Sequence, residues 1–416
     1  MASVPPGLHV SSQYYPLYYT FGVEFEFIIK FRFADYGIQP DPEKQTYGVG
    51  PVHEHVIEVL RQAGFEVNDY ETGTPELGFW TVKLDDSIKP KLPANSEFGY
   101  APVEITTPVL RFARASTFNS FWEIHRMLTA VTRRFYIFVN ETCGLHVHVG
   151  AITDPRTQDY KYSRGFPLKT IRNLCQLLTL CEPELNAIHP PSRLHNGYGA
   201  LPSQLLAYKG NAAEVLDRCT NFTALNWVWM GMKLEDHDEP TPLTYLETDD
   251  SYVPAYHLGY LIRESDHYPE ERSRRTIEFR QHIGTMWFDE VYHWVKTVVR
   301  LLQFSHECGP KGLPESLIST INEERATRSG RFNTVSFLTA IGAAEQARFY
   351  QQGRLHTHPS PEIPQLYYRA PEEPPQEAWP LMEIWPEGPY ADGGENEVPD
   401  LQTMNYPDLT YRDVEY

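Results

Sequence analysis

Residues 21–30 read FGVEFEFIIK. Phe21, Val23, Phe25, Phe27 and Ile29 alternate with Gly22, Glu24, Glu26 and Ile28. Side chains of a strand repeat with period two, so the aromatic and branched residues share one face and both carboxylates point to the other. A strand with one apolar and one acidic face belongs to a sheet whose second surface carries polar chemistry.

Three further segments carry the same phase. In APVEITTPVL (residues 101–110), Val103, Ile105 and Thr107 alternate with Glu104 and Thr106, and Pro108 ends the strand because it donates no ladder hydrogen bond. In CGLHVHVG (143–150), Leu145, Val147 and Val149 alternate with His146 and His148 between two glycines. In RSRRTIEFRQH (272–282), Ile277 and Phe279 alternate with Arg274, Thr276, Glu278 and Arg280. Helical spacing lies between these segments: residues 52–64 end on Gly64, and further helices are read at 116–135, over TIRNLCQLLTLCEPELNAI (170–188), from Trp287 to Phe304 and from Asn333 to Tyr350. Interleaved helices and strands give an α+β class, an antiparallel sheet with helices on its apolar face.

Brought into one sheet, the four strands gather Glu24, Glu26, Glu104 and Glu278 with His146, His148, Arg274 and Arg280. Two like charges about 4 Å apart repel by roughly 4 kcal/mol at an effective dielectric near 20. Such a surface therefore needs a cation, and a carboxylate-rich set with an imidazole suits Mg²⁺ or Mn²⁺ better than Zn²⁺. Arginine binds phosphate or carboxylate oxygens bidentately, which makes Arg280 a clamp for such a group. The chain has no GxxxxGK[ST] loop and no GxGxxG turn, so any nucleotide is held by metals and arginines on the sheet.

Composition narrows the classes. The chain has 416 residues, 41% of them hydrophobic, enough for a large core. A net charge of −19 argues against a nucleic-acid surface. Much of that charge is local: residues 361–416 hold 13 Asp and Glu against two Arg, with ten prolines. The reading is an N-terminal arm over 1–17, a catalytic domain over 18–352 and an acidic, Pro- and Tyr-rich disordered tail over 353–416, with stretches such as Leu366–Tyr368 available for docking an unknown protein partner. Five irregularly spaced cysteines and the lack of a leader or an apolar run of roughly 18 residues point to a cytoplasmic protein with no membrane association.

The motifs GVEFEF, WTVKLDDSI, VEITTPVL, GLHVHVG, PPSRLHNGY, the LNW of TALNWVWM and TIEFRQHIGTMWFDEVYHWV resemble, in order over residues 18–350, the amidoligase enzyme family. That family goes with glutamine synthetase and glutamate-cysteine ligase in the carboxylate-amine ligase fold. The resemblance implies an ATP-dependent ligase in which a substrate carboxylate becomes an acyl phosphate that an amine attacks. By motif it implies Glu24, Glu26, Glu104, His146 and Glu278 as metal ligands. Arg280, Glu278 and Glu26 become catalytic residues, and His146, Arg280, Arg274 and Arg193 face the nucleotide, although a structural salt bridge serves equally for Arg274 and Arg193. Asp86 or Glu264 is the candidate for deprotonating the amine. The substrates read as an amino acid, peptide or related small molecule, selected over residues 211–273. Two alternatives stand beside this: a metal-dependent hydrolase using His146, His148 and the carboxylates, or a catalytically silent relative acting as a binding protein.

Overall fold

The computed structural model describes residues 17–39, 49–68, 78–90, 97–112, 117–152, 165–194, 199–206, 212–231, 254–262, 275–352 and 366–368. The chain divides into two compact units, Met1–Ala370 and Pro371–Tyr416, and the second lies wholly outside the described residues.

Among the described residues nine strands form one sheet: β1 (Tyr18–Arg32), β2 (Thr81–Lys83), β3 (Phe98–Thr106), β4 (Leu110–Phe112), β5 (Tyr136–Val139), β6 (Gly144–Ile152), β7 (Tyr256–His257), β8 (Thr276–Ile283) and β9 (Leu366–Tyr368). The central order is β2-β3-β1-β6-β8-β7, with β4 and β5 also pairing with β1 and β9 pairing with β5. Every pairing between these strands is antiparallel. The four segments of shared phase are therefore β3, β1, β6 and β8, contiguous in the middle of the sheet. β3 stops at Thr106, two residues before Pro108, as expected.

The apolar face is the core. Phe21, Val23, Phe25, Phe27, Val103, Ile105, Leu145, Val147, Val149, Ile277 and Phe279 are all buried. The helices are α1 (Gly50–Gln62), α2 (Thr117–Arg134), α3 (Leu168–Leu180), α4 (Glu182–Asn186), α5 (Pro202–Leu206), α6 (Ala212–Arg218), α7 (Phe222–Trp229), α8 (Phe288–Glu307), α9 (Glu315–Thr327), α10 (Thr334–Ala340) and α11 (Ala344–Gln351). An aromatic chain ties β1 to α2 and α8: Phe21 stacks on Phe121 at 5.4 Å, and Phe121 meets the edge of Tyr292 at 4.7 Å. Each large apolar side chain so buried contributes roughly 1.5–3 kcal/mol.

Two expected helices are each divided. The segment 170–188 breaks at Cys181, and Pro183 sits in the first turn of α4, where its missing N–H costs nothing. The segment 333–350 breaks at Gly342, whose φ of +84° is a left-handed conformation that continues no α-helix. α10 begins on Asn333, whose Oδ1 accepts from Val335 N at 3.0 Å and Ser336 N at 3.2 Å, while Ser336 Oγ accepts from Asn333 N in a capping box. Among the described residues no helix is long and apolar enough to cross a membrane.

Candidate active site

Antiparallel register arranges the polar face in rows. Thr81, Thr106, Glu24 and His146 lie across β2, β3, β1 and β6; Lys83, Glu104 and Glu26 form the next row; Gly22, His148, Glu278 and His257 form another across β1, β6, β8 and β7. Strand phase and register together thus bring Glu24, Glu26, Glu104, His146, Glu278 and Arg280 to one surface.

His146 is at the centre. Its Nδ1 lies 3.3 Å from Glu24 Oε2, 3.2 Å from Glu26 Oε1 and 3.6 Å from Glu278 Oε1. A single N–H can serve only one of these three oxygens well. Although Glu26 Oε1 is within ion-pair reach of His146, it has no hydrogen-bond partner among the described residues. Glu26 Oε2 accepts from Gly144 N at 2.6 Å. A Cβ on Gly144 would overlap His146 Nε2 and lie 2.9 Å from Arg193 Nη2, so only glycine lets the backbone reach Glu26 beneath the imidazole.

The flanking groups are fixed in turn. His148 Nε2 is 3.1 Å from Glu24 Oε1 and its Nδ1 is 3.2 Å from Thr276 Oγ1, so both ring nitrogens are engaged. Arg280 Nη1 donates to Glu278 Oε1, and His257 Nδ1 lies 3.5 Å from Glu278 Oε2. Lys83 Nζ is 2.9 Å from Glu104 Oε1, which also accepts from Thr106 Oγ1 at 3.0 Å.

Charge splits the carboxylates into two kinds. Burial pushes the Glu24 carboxyl up, but His148 and His146 together outweigh it and hold the group well below the usual range. Burial is likewise outweighed at Glu278 by Arg280 and His148, which keep it ionised. At Glu26 burial wins, opposed by His146 and aided by Asp85, and its pKa rises. Glu104 is raised well above the usual range by burial and by the charge of Glu24, with Lys83 opposing. Acid thus outweighs the positive charge the chain supplies, and Glu26 and Glu104 hold a proton more readily than ordinary carboxyls.

The remaining expected residues are placed unevenly. Arg193, 2% exposed, donates from Nη2 to Arg280 O at 2.6 Å, and its Nε has no hydrogen-bond partner among the described residues. Arg274 and Glu264 lie outside the described residues, as does much of 211–273. Asp86 is exposed, whereas its neighbour Asp85 presents an oxygen to Glu26 and Glu104. Cys143 donates weakly to Asn140 Oδ1 at 3.6 Å, and burial pushes its thiol up to about 12, which leaves no thiolate for nucleophilic chemistry. Three residues escaped the sequence reading: Lys83, Asp85 and His257. Strand phase continued through WTVK reaches Lys83; Asp85 follows the end of β2, and the two-residue β7 has no period to read.

Among the described residues two groups can offer one ligand atom each with all atoms within 4.8 Å of one another: Glu24, His146 and Glu278, and Glu26, Asp85 and Glu104. The donor set is five carboxylates and one imidazole, which fits hard, oxygen-seeking divalent ions, and the unpartnered Glu26 Oε1 leaves an acceptor for one.

Residues 18–201 match the sequence profile of the family described as "Putative amidoligase enzyme", so the resemblance read from the motifs holds over that span, and ligase is the general class it supports. No curated protein sequence matches the chain. Solved structures similar to it include the crystal structure of a bifunctional glutathione synthetase from Pasteurella multocida, at 12% identity and a TM-score of 0.33, covering 80% of this chain and 48% of that one. The chain thus spans about half the length of that enzyme.

Proposed function

We propose, from the amidoligase match over residues 18–201, that the polar face is the active site of an ATP- and Mg²⁺- or Mn²⁺-dependent carboxylate-amine ligase on a glutamine synthetase-like catalytic sheet. One observation carries the reading: oxygens of Glu24, Glu26 and Glu278 converge within 3.6 Å of one imidazole nitrogen, beside an arginine. The substrate carboxylate takes the γ-phosphoryl group of ATP, releasing ADP; the amine then attacks the acyl phosphate, forming the amide and releasing phosphate.

Glu24, His146 and Glu278 would hold one cation, and Glu26, Asp85 and Glu104 a second. Bound there, the cations neutralise phosphate oxygens during transfer. The protein's own part is positioning. Arg280 is held by Glu278 and can turn its unpartnered Nε edge to the transferring group. Gly144 and His148 fix the carboxylates from below, and Arg193 fixes the Arg280 backbone. Burial of the face limits the water that would hydrolyse an acyl phosphate.

Calorimetry with Mg-ATP tests this directly, and a protein that fails to bind Mg-ATP is not such a ligase. Glu278→Gln, which keeps the shape, is expected to remove most metal-nucleotide affinity. Hydroxylamine in place of the amine should give hydroxamate and ADP in the presence of the correct acid. Zinc-dependent turnover without nucleotide would instead establish the hydrolase.

A further inference from the structure

The second group of carboxylates already has a cation beside it. Lys83, Glu104 and Glu26 lie in one row across β2, β3 and β1, and Lys83 Nζ sits 2.9 Å from Glu104 Oε1. Glu104 is 3% exposed and cannot turn to water, whereas the Lys83 side chain is 43% exposed on a three-residue strand. Its four-carbon stem can swing outward without moving the backbone. A divalent ion held by Glu26, Asp85 and Glu104 would compete with the ammonium for the Glu104 carboxylate. Glu26 is itself 3% exposed, and its Oε1, 3.2 Å from His146 Nδ1, has no hydrogen-bond partner among the described residues.

We propose that Lys83 is the resident counter-ion of the Glu26–Asp85–Glu104 group, that a divalent cation enters the group by displacing it, and that the released ammonium turns to the phosphate oxygens of the nucleotide. The inference rests on the cation reading of the polar face given above. On this account the two cation positions differ in kind. The Glu24–His146–Glu278 position is filled directly, and the other only in exchange for a lysine, which couples its filling to the arrival of an anion for that lysine to bind.

Mn²⁺ alone, titrated calorimetrically into the full-length chain, tests this in wild type, Lys83→Met and Lys83→Arg. Wild type is expected to show a tight and a weak class of site. Lys83→Met should tighten the weak class by about tenfold or more, since a positive charge about 4 Å from the ion is removed, and leave the tight class unchanged. Lys83→Arg keeps the charge and should stay close to wild type, which separates charge from any packing loss. In the same Lys83→Met protein the affinity for a non-hydrolysable Mg-ATP analogue should fall. A weak class that is unchanged or weaker in folded Lys83→Met overturns the proposal. So does a single class in all three proteins, which leaves the Glu24–His146–Glu278 position standing. No Mn²⁺ binding in any of them removes the cation reading itself.

Discussion

Glu104→Gln should make the metal-free protein at least as stable as wild type while weakening its hold on divalent cations. Oxygens of Glu104, Glu26 and Asp85 can lie within 4.8 Å of one another. At an effective dielectric near 20, two unit charges at that separation repel by about 3.5 kcal/mol. Against this stands the Lys83 pair, whose lysine side chain is 43% exposed and which is therefore worth no more than about 1 kcal/mol. The raised Glu104 carboxyl already avoids part of the repulsion by holding its proton, so the net gain on substitution is smaller, from about 0 to 2 kcal/mol. Glutamine keeps an oxygen for Thr106 Oγ1, so no buried donor is stranded. Thermal melts in EDTA should therefore show the variant level with wild type or a few degrees above it. In Mn²⁺ at about 100 times the wild-type Kd the order should reverse, since wild type gains about 2.7 kcal/mol and the variant less. A variant more than about 1 kcal/mol less stable than wild type in EDTA would refute this account of the charges; Glu104 would then be an acid the fold itself requires.

Gly144→Ala drives a methyl group into His146 and Arg193, and the imidazole must shift by about 1 Å; Mn²⁺ affinity should fall on the order of 10- to 100-fold with the circular dichroism spectrum unchanged. Burial holds His293 at about 4 against an ordinary 6.5, with Lys296 adding to the effect and Glu345 opposing it. The unfolded chain then takes up a proton that the folded one refuses. Stability should be full above the unfolded pKa and fall as pH drops towards 4, and His293→Gln should flatten that slope by up to about 1.4 kcal/mol per pH unit in urea titrations. Equal slopes in the two proteins would disprove this. Asn333→Ala removes the cap of α10 and should cost about 1 kcal/mol in the same assay, with Asn333→Gly costing less.

The parts of this molecule that alternate with period two are legible in the sequence. Glu24, Glu26, Glu104, His146, Glu278 and Arg280 fall on one surface because β1, β3, β6 and β8 happen to be neighbours, and only that adjacency went beyond the sequence. Residues just past a strand end, or in a strand of two residues, have no phase to read, which is why Asp85 and His257 stayed hidden. Helix interiors were legible and their breaks less so. Cys181 and Gly342 interrupt apolar patterns that run on without a gap in the sequence, because backbone conformation changes there while hydrophobicity does not.

The pairing of β9 with β5 sets an order of events during synthesis. Leu366–Tyr368 is the last described strand, yet it pairs with Tyr136–Val139, more than 200 residues earlier in the chain. Until that far segment leaves the ribosome, one side of β5 presents open backbone groups, a template for pairing with another copy. A chain that ends at Gln352 keeps the polar face whole and still carries this open edge for good. Such a fragment is expected to retain the polar face and lose its solubility, so that the two properties come apart at a boundary where none of the polar-face residues lie.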